Sequence, residues 1–461
     1  MNFLKYLFAA LLLSQISIKP CPAQSNSTAS NLLNRQNINS EAGLPPAPKP
    51  KIAKVNQQDA KEESEWLIMI YMAGANNLGH LALQNINQIE KGLYKAGKNA
   101  VPLKIAVAYS SMQSTEDSPI KIPKGMEMLL VQPDNNAKEI KSKPFGMLKN
   151  ADTGNIKTLE VFIHAAMTKF PAKKKALLIW NHGKGIDGIA SDSIYDTMMG
   201  IKPLGLMLDK VTNNGNSKFD VIAMDACVMQ MAEVAYELKE YAYYIVASEQ
   251  IIPNDGYPYE NITYNLSKNR YDAKALTEML VHEYNSHYSD YDEDLTYISS
   301  VKTAMLPEMM RKLNRWAGMI VKDRTMHKKI AENYPASRIT RVKYFEISAD
   351  FVDLIDKING IPGISREIAQ AGEDLKKFIL DSLFSANYQN RRSSGEDDNN
   401  FGIAVYFPYC PEEKLDMAKF NENCRYRGGK YSSLKFSKDS AWDEFIQIFP
   451  IAYYEKYYRQ H

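Results

Sequence analysis

Six short apolar segments, each built from residues that favour β-strands, limit this chain to an α/β fold. Between several of them lie stretches whose apolar residues recur with helical spacing. Strands that are apolar on both faces lie inside covered sheets, and alternation with helices indicates a mainly parallel sheet with helices on both faces. The predicted strands are residues 66–72, 104–109, 126–131, 176–180, 219–224 and 242–247.

Amphipathic periodicity predicts helices between these strands and through most of the chain after residue 270. One more strand is predicted late, over residues 402–407, where an apolar run ends at a proline. The predicted helices cover residues 77–95, 155–169, 228–239, 272–288, 306–322, 345–358 and 364–386.

The first residues have the features of an export signal. Lys5 precedes an apolar run over residues 6–13, which is too short to span a membrane. We expect cleavage after Ala23 and a secreted, periplasmic or cell-surface protein. Lipidation at Cys21 is the alternative, and the two residues before that cysteine, which are not small, disfavour it.

The remaining chain divides into three parts. Residues 24–64 are rich in Ser, Asn, Gln, Pro and Lys, a composition typical of an extended linker or propeptide. Residues 65–330 form the predicted core, and residues 331–461 complete the same unit. No segment after the export signal is long and apolar enough to span a bilayer.

The charge balance argues against nucleic-acid binding. The chain has 56 basic and 54 acidic side chains, for a net charge of +2. Nucleic-acid-binding domains carry a marked basic excess. We therefore expect no nucleic-acid partner.

The cysteine count draws attention to one thiol. Without the signal, Cys227, Cys410 and Cys424 remain. An oxidising compartment permits one disulfide, and Cys410–Cys424 is the closer pair in sequence. Cys227 is then a leftover thiol with potential reactivity. The alternative is that all three are free, buried and inert.

Two predicted strands end in residues that suit nucleophilic catalysis. The strand at 176–180 runs into His182, which Gly183 follows, and the strand at 219–224 runs towards Cys227. Sites in open α/β sheets assemble at the carboxyl ends of strands. If the strands are neighbours, the imidazole and the thiol emerge at the same edge.

The chemistry of such a pair is well defined. A thiolate is the nucleophile, and an imidazolium or a helix N-terminus lowers its pKa. His182 would protonate a leaving amine, and the N–H groups of Gly183 and Cys227 would face a developing oxyanion. A cysteine that packs in the core and a histidine in a loop remain the alternatives, which spacing alone does not exclude.

The sequence resembles the clostripain-like cysteine peptidases, which are relatives of caspases, legumains and gingipains. The resemblance runs from about Trp66 to the C-terminus. The motifs around His182 and Cys227 are its most specific part. The matching segments are residues 66–78, 179–185, 220–229, 246–250, 253–259 and 402–408.

The resemblance implies a caspase-like αβα sandwich with a smaller, mostly helical C-terminal part. It implies a secreted endopeptidase with a His182–Cys227 dyad that cuts proteins or peptides after Arg or Lys. A buried cation needs an acidic partner. Asp225 matches the pocket acid of the family, and Asp255 is a second candidate. Ser248 and Glu249 are expected to line the same pocket.

Several alternatives remain open. Asp225 is also a plausible structural hydrogen-bonding residue, and Asp255 an ordinary turn residue before a glycine. The same dyad is compatible with a pocket that binds a non-basic substrate residue, such as Asn or Asp. The fold is also compatible with a catalytically inactive binding protein. Self-cleavage between the two motifs would have only lysines to use, so release of a propeptide at the lysines within residues 49–61 is favoured.

We predict no cofactor and no metal site. The acidic cluster at residues 290–294 has alternating carboxylates. It lacks the glycine and the terminal glutamate of a calcium loop, which leaves calcium a minor possibility. His282 and His287 are five residues apart, one more than a zinc-binding helix requires.

Overall fold

A computed structural model describes residues 51–52, 63–97, 100–111, 125–289, 297–333, 340–342, 345–389, 399–407 and 431–458. The predicted export signal with Cys21, most of the linker and the acidic cluster at 290–294 lie outside these residues. Cys410 and Cys424, the predicted disulfide pair, lie outside them as well.

The strands of the described residues are numbered here in chain order. They are β1 Lys51–Ile52, β2 Ser64–Met72, β3 Leu103–Tyr109, β4 Met126–Leu130, β5 Lys143–Leu148, β6 Ala172–Trp180, β7 Ile189–Asp192, β8 Thr197–Met199, β9 Phe219–Asp225, β10 Ala242–Ala247, β11 Tyr297–Lys302, β12 Arg341–Val342, β13 Phe345–Asp350, β14 Phe384–Gln389 and β15 Ala404–Tyr406.

The helices are numbered in the same way. None that the structure describes combines the length and the apolar character needed to cross a bilayer. They are α1 Gly79–Ala96, α2 Ile156–Lys169, α3 Ile201–Val211, α4 Ala232–Leu238, α5 Tyr259–Lys268, α6 Ala273–Tyr288, α7 Leu306–Lys322, α8 Arg324–Asn333, α9 Phe351–Asn359, α10 Arg366–Phe378, α11 Lys435–Asp439 and α12 Trp442–Tyr458.

One large mixed sheet organises the molecule, in the order β1-β5-β4-β3-β2-β6-β9-β10-β11-β14. The five central strands, β3 to β10 in that order, run parallel. The strands on either side of them are antiparallel. The predicted α/β class is confirmed, and the parallel strands are the sheet's centre rather than its full width.

The sheet is covered on both faces, as continuous apolar strands require. Alternate residues of β2 point to opposite sides, so that Met69 packs in one apolar cluster and Ile70 in another. The first cluster also contains Trp316 of α7 and Trp442 of α12, which stack with ring centroids 6.4 Å apart. Residues from both sides of position 331 therefore share one core.

The C-terminal half departs most from the sequence prediction. Residues 345–350, predicted as the start of a helix, form β13, and α9 begins only after Asp350, whose side chain accepts a hydrogen bond from the Asp353 N–H. The predicted helix 364–386 is observed as α10 followed by a π-helical segment, Ile379–Leu383, and its last three residues belong to β14. The late strand β15 pairs with β13 in a separate three-stranded sheet.

A buried acid joins α4 to the C-terminal part. One carboxylate oxygen of Glu233 accepts hydrogen bonds from the Tyr406 N–H at 2.9 Å and the Tyr431 hydroxyl at 3.2 Å. Its other oxygen has no partner among the described residues. Burial raises the pKa of Glu233 to about 7, although these hydrogen bonds lower it.

This raised pKa predicts a stability that depends on pH. Glu233 favours the folded state below the ordinary pKa of 4.5, and the contribution is lost as pH rises to about 7. We expect Glu233→Gln, which mimics the protonated acid, to match the wild type at pH 5. At pH 8 it should be more stable by roughly 1–3 kcal/mol.

Urea unfolding at several pH values measures this difference. The exposed Glu63→Gln variant is the control and should follow the wild-type profile. Parallel profiles for Glu233→Gln and the wild type would show that the acid is not buried as described.

Candidate active site

Strands β6 and β9 are neighbours, and their register brings the two predicted residues to one edge. Trp180 pairs with Asp225 at the end of the ladder. The Asn181 N–H then donates to the Asp225 carbonyl at 3.2 Å. His182 and Cys227 each lie two residues beyond the paired positions, so both leave the sheet at the same level.

Gly183 lets the two strand ends touch. A Cβ atom built on Gly183 would lie 2.2 Å from the Cys227 carbonyl oxygen and 2.9 Å from the Met229 sulfur. Any side chain here would force the two segments apart. Glycine is therefore required at position 183 because the two strand ends pack directly against each other there.

Two amides at this contact have no hydrogen-bond partner in another residue of the described chain. The bonds that flank Gly183 run from the Ala190 N–H to the His182 carbonyl and from the Lys184 N–H to the Gly188 carbonyl. The N–H of Gly183 takes part in neither bond. The N–H of Cys227 likewise donates to no other residue that the structure describes. Both are available to an acceptor.

The thiol of Cys227 lies beneath the loop that follows β10. Its sulfur accepts a hydrogen bond from the Ile252 N–H at 3.3 Å. Burial raises the pKa of the Cys227 thiol, the Ile252 N–H lowers it, and the Asp225 carboxylate raises it. Burial dominates, so the resting thiol is held in its protonated form.

The helix predicted directly after Cys227 begins later than expected. Residues 228–239 were predicted as helical, but α4 starts at Ala232. Val228 has φ of 61°, a strained value for a β-branched residue, and its N–H donates to the Gln250 carbonyl at 3.0 Å. The thiol therefore does not sit at a helix N-terminus.

His182 is half-buried and has one side-chain partner. Its Nε2 lies 2.8 Å from the Asn77 Oδ1. Burial lowers the pKa of His182, and the positive charge of Lys184 lowers it further. The neutral imidazole, which is able to accept a proton, is therefore favoured. Asn77 was not singled out from the sequence, where it is one polar residue of the turn after β2.

Asp225 is buried close to the thiol, with 4% of its surface exposed. One carboxylate oxygen, Oδ2, accepts hydrogen bonds from the Tyr257 N–H at 3.0 Å and the Tyr259 hydroxyl at 2.8 Å. No group of the described residues donates to Oδ1. Burial raises the pKa of Asp225 to about 6, although both hydrogen bonds lower it.

Asp255 lies on the same loop as Ile252 but differs from Asp225 in its environment. It is exposed in the turn before Gly256. Gly256 itself packs on the Asp225 carboxylate, where an added Cβ would lie 2.7 Å from Oδ2. The loop therefore carries an exposed acid, Asp255, beside the glycine that packs on buried Asp225 at the end of β9.

Ser248 and Glu249, which the sequence predicts to line the pocket, are bonded to neighbouring segments. Both are fully buried. The Ser248 hydroxyl donates to the Gln250 carbonyl at 3.0 Å, and its own carbonyl accepts from the Gln230 N–H. Glu249 accepts a hydrogen bond from the Gly402 N–H at 2.8 Å. Their contacts hold the segment after Cys227 against its neighbours.

A second buried carboxyl group explains how Glu249 is tolerated. Asp350 lies beside it, and burial together with the Glu249 carboxylate raises the pKa of Asp350 well above its ordinary value. Asp350 also accepts a hydrogen bond from the Phe401 N–H at 2.6 Å. The two acids share a proton rather than carry two adjacent charges.

Potential metal ligands do not gather near this edge. The described residues contain no group of three or more His, Cys, Asp or Glu side chains arranged to hold an ion. The His282 Nδ1 lies 3.5 Å from the Oε1 of its neighbour Glu283.

Comparison with known sequences gives one family. The profile of the clostripain family, peptidase family C11, matches residues 70–449. A search of curated proteins finds none that matches the chain.

Two solved structures share the fold. An inactive zymogen of a C11 protease from Parabacteroides distasonis is 20% identical, with a TM-score of 0.58, over 82% of this chain and 98% of that chain. A secreted C11 cysteine protease from Bacteroides thetaiotaomicron, bound to an irreversible peptide inhibitor, is 17% identical, with a TM-score of 0.56, over 82% of this chain and 99% of that chain.

The contact at Gly183 generates a stability prediction. Gly183→Ala places a methyl group against the Cys227 carbonyl, and we expect a loss of about 1–3 kcal/mol in the free energy of unfolding. Gly318→Ala is the matched control, because nothing lies within 4 Å of its added Cβ in α7. The control should be neutral or stabilising by up to about 1 kcal/mol.

Chemical unfolding of both variants measures the difference. Equal stability of the two alanine variants would mean that the strand ends are not packed through Gly183.

Proposed function

The chain belongs to the clostripain family of cysteine peptidases, and we propose that it cuts peptide bonds after Arg or Lys, with Cys227 as nucleophile and His182 as its base. The observation that carries the proposal is the shared register of the two residues at the end of β6 and β9, two steps past the Trp180–Asp225 pair. The buried carboxyl group of Asp225 beside the thiol supports the specificity.

The pKa values of the two groups favour a neutral pair at rest. The pKa is raised for the Cys227 thiol and lowered for the His182 imidazole. His182 therefore takes the thiol proton as the sulfur attacks the carbonyl carbon, and the N–H groups of Gly183 and Cys227 donate to the oxyanion that forms.

Collapse of this intermediate completes the first half of the reaction. The imidazolium of His182 gives its proton to the leaving amine, and the acyl group stays on the sulfur of Cys227. His182 then removes a proton from water, which attacks the thioester. The carboxylic acid leaves, and the thiol regains its proton.

Asp225 gives the proposed pocket its charge. Oδ2 is taken by Tyr257 and Tyr259, which leaves Oδ1 to pair with a guanidinium or ammonium group of the substrate. A cation placed there stabilises the ionised carboxylate and lowers its pKa below 6. Exposed Asp255 would attract the same cation more weakly, because solvent screens it.

We assign the enzyme to the space outside the cytoplasm, on the basis of residues 1–23. Residues 24–64 act as a pro-segment in this proposal. Within them β1 adds to the edge of the large sheet, with Lys51 opposite Met147 and Ile52 opposite Gly146. This contact would tie the segment to the sheet until a cut after one of its lysines.

The first test compares fluorogenic peptides that end in Arg, Lys, Asn or Asp, cut by the protein lacking residues 1–23 and by its Cys227→Ala variant. We expect selective hydrolysis of the Arg and Lys peptides, lost in the variant. Equal activity in both proteins would remove Cys227 from the mechanism, and selective cleavage after Asn or Asp would refute the basic pocket.

If neither protein cleaves any of the peptides, the assay is repeated after limited trypsin treatment and removal of the trypsin. Activity after this step would support a pro-segment that masks the site. If no peptide is cleaved after this treatment either, the result would favour the alternative of an inactive binding protein.

A second prediction concerns the pocket acid. Asp225→Asn keeps an acceptor for Tyr257 and Tyr259 but removes the charge. We expect kcat/KM for Arg and Lys peptides to fall by roughly 10²–10³, with much smaller losses for neutral peptides. Asp255→Asn is the matched control and should cost less than about tenfold.

The same acid sets an expected pH dependence. Because burial raises the pKa of Asp225 to about 6, kcat/KM for basic peptides should decline as pH falls below 6 and the carboxylate takes up a proton. The Asp225→Asn variant should lose this contribution to the acidic limb and keep the contribution that protonation of His182 makes. A profile unchanged by the substitution would separate Asp225 from substrate binding.

A further inference from the structure

A polar side chain outside the proposed dyad makes a direct contact with its histidine. Asn77 lies in the turn between β2 and α1, and its Oδ1 is 2.8 Å from the His182 Nε2. We infer that Asn77 is a positioning residue, which fixes the tautomer of His182 so that Nδ1 is the atom that accepts the proton. This inference rests on the proposed function of His182 as a base.

The chemistry of the contact selects one tautomer. An amide oxygen accepts hydrogen bonds and never donates them, so Nε2 must carry the proton of the neutral ring. The lone pair is then on Nδ1. The other tautomer would present an N–H at Nδ1, which is unable to take a proton from the Cys227 thiol.

The same contact becomes stronger during the reaction. When Nδ1 has taken the thiol proton, the ring is cationic and its Nε2–H donates to Asn77 as a charge-assisted hydrogen bond. Such bonds are about twice as strong as neutral ones. Asn77 therefore stabilises the imidazolium more than the resting imidazole, which lowers the barrier rather than the ground state.

Asn77 is held in place by the residue before it. Asn76 is buried, and its Nδ2 donates to the Ala73 carbonyl at 3.1 Å and the Ser191 carbonyl at 2.8 Å. Its Oδ1 accepts from the Leu78 N–H at 3.0 Å. These bonds fix the backbone on both sides of Asn77, so the amide is oriented before any substrate binds.

His182 is tied to the same turn through its own neighbour. Asn181 is buried, and its Nδ2 donates to the Ala73 carbonyl at 2.5 Å. Its Oδ1 accepts from the Ser191 N–H at 2.8 Å. Because Asn76 and Asn181 share the Ala73 and Ser191 partners, the turn and the end of β6 form one braced unit.

The exposure of Asn77 separates positioning from stability. An exposed neutral hydrogen bond contributes little to folding. Removal of the amide should therefore leave the fold intact while it releases the imidazole ring. A residue that served only to hold the turn would show the opposite pattern.

The test compares Asn77→Ala, Asn77→Asp and the control Asn269→Ala. Asn269 is another exposed asparagine, whose Nδ2 donates to the Asn265 carbonyl. We expect Asn77→Ala to lower kcat by about 10–100-fold with KM changed less than about threefold. Asn77→Asp keeps an acceptor and should recover most of kcat. Asn269→Ala should match the wild type.

Nitrogen-15 NMR of the histidine rings gives a readout that needs no activity. The wild type should show His182 with its proton on Nε2, and Asn77→Ala should show a mixture of both tautomers. A wild-type His182 protonated on Nδ1, or Asn77→Ala with unchanged kcat and tautomer, would overturn the inference. A raised KM with an unchanged tautomer would also overturn it.

Failure of the proposed function is distinguishable from failure of this inference. A wild type that cleaves no peptide, or a fully active Cys227→Ala variant, would reject the dyad. The tautomer of His182 in the wild type and in Asn77→Ala would still report whether Asn77 sets the ring.

Discussion

The pairing of β6 with β9 is the interaction on which the rest of the site depends. The hydrogen bond from the Asn181 N–H to the Asp225 carbonyl carries the ladder one step past the sheet. Gly183 then packs directly on the Cys227 carbonyl. A slip of either strand by one residue would turn the side chains of that strand to the opposite face, away from those of its partner. The site is thus specified by backbone pairing before any side chain contributes.

The loop after β10 is the second element of the site, and hydrogen bonds to the buried carboxyl group of Asp225 hold it in place. Asp225 accepts hydrogen bonds from Tyr257 of this loop and from Tyr259 at the start of α5, and Ile252 of the loop donates to the Cys227 sulfur. One carboxylate therefore orders the segment that covers the thiol. The cost of burying that charge appears as its raised pKa, and the remaining oxygen is what a cationic ligand would meet.

The sequence predicts the central sheet because its strands are apolar on both faces, a pattern with few alternatives. It predicts the common edge of His182 and Cys227 for the same reason. The delayed start of α4 was not predictable, because the left-handed Val228 depends on a hydrogen bond to Gln250, which is distant in sequence. Asn77 was missed because a single asparagine in a turn carries no periodic signal.

The burial of Ser248 and Glu249 is also not predictable from the sequence. Their side chains follow a strand, where exposed loop residues are expected. Asp350 and the Gly402 N–H stabilise Glu249 inside the protein, and both come from the C-terminal part. Contacts between distant segments decide such positions, and local patterns do not record them. For the same reason the helical periodicity of residues 345–350 is misleading, because their pairing with β15 overrides it.

The parallel arrangement of β6 and β9 has a consequence for the order in which the protein forms. Parallel neighbours need a long crossover, here one that contains the β7–β8 hairpin and α3, and closing such a connection costs chain entropy before any contact offsets it. Non-local pairings of this kind form slowly. An incompletely folded chain therefore carries the thiol of Cys227 and the imidazole of His182 at strand ends that are not yet paired. The proposed catalytic pair therefore forms only once β9 has paired with β6, and it is absent from any folding intermediate that lacks this pairing.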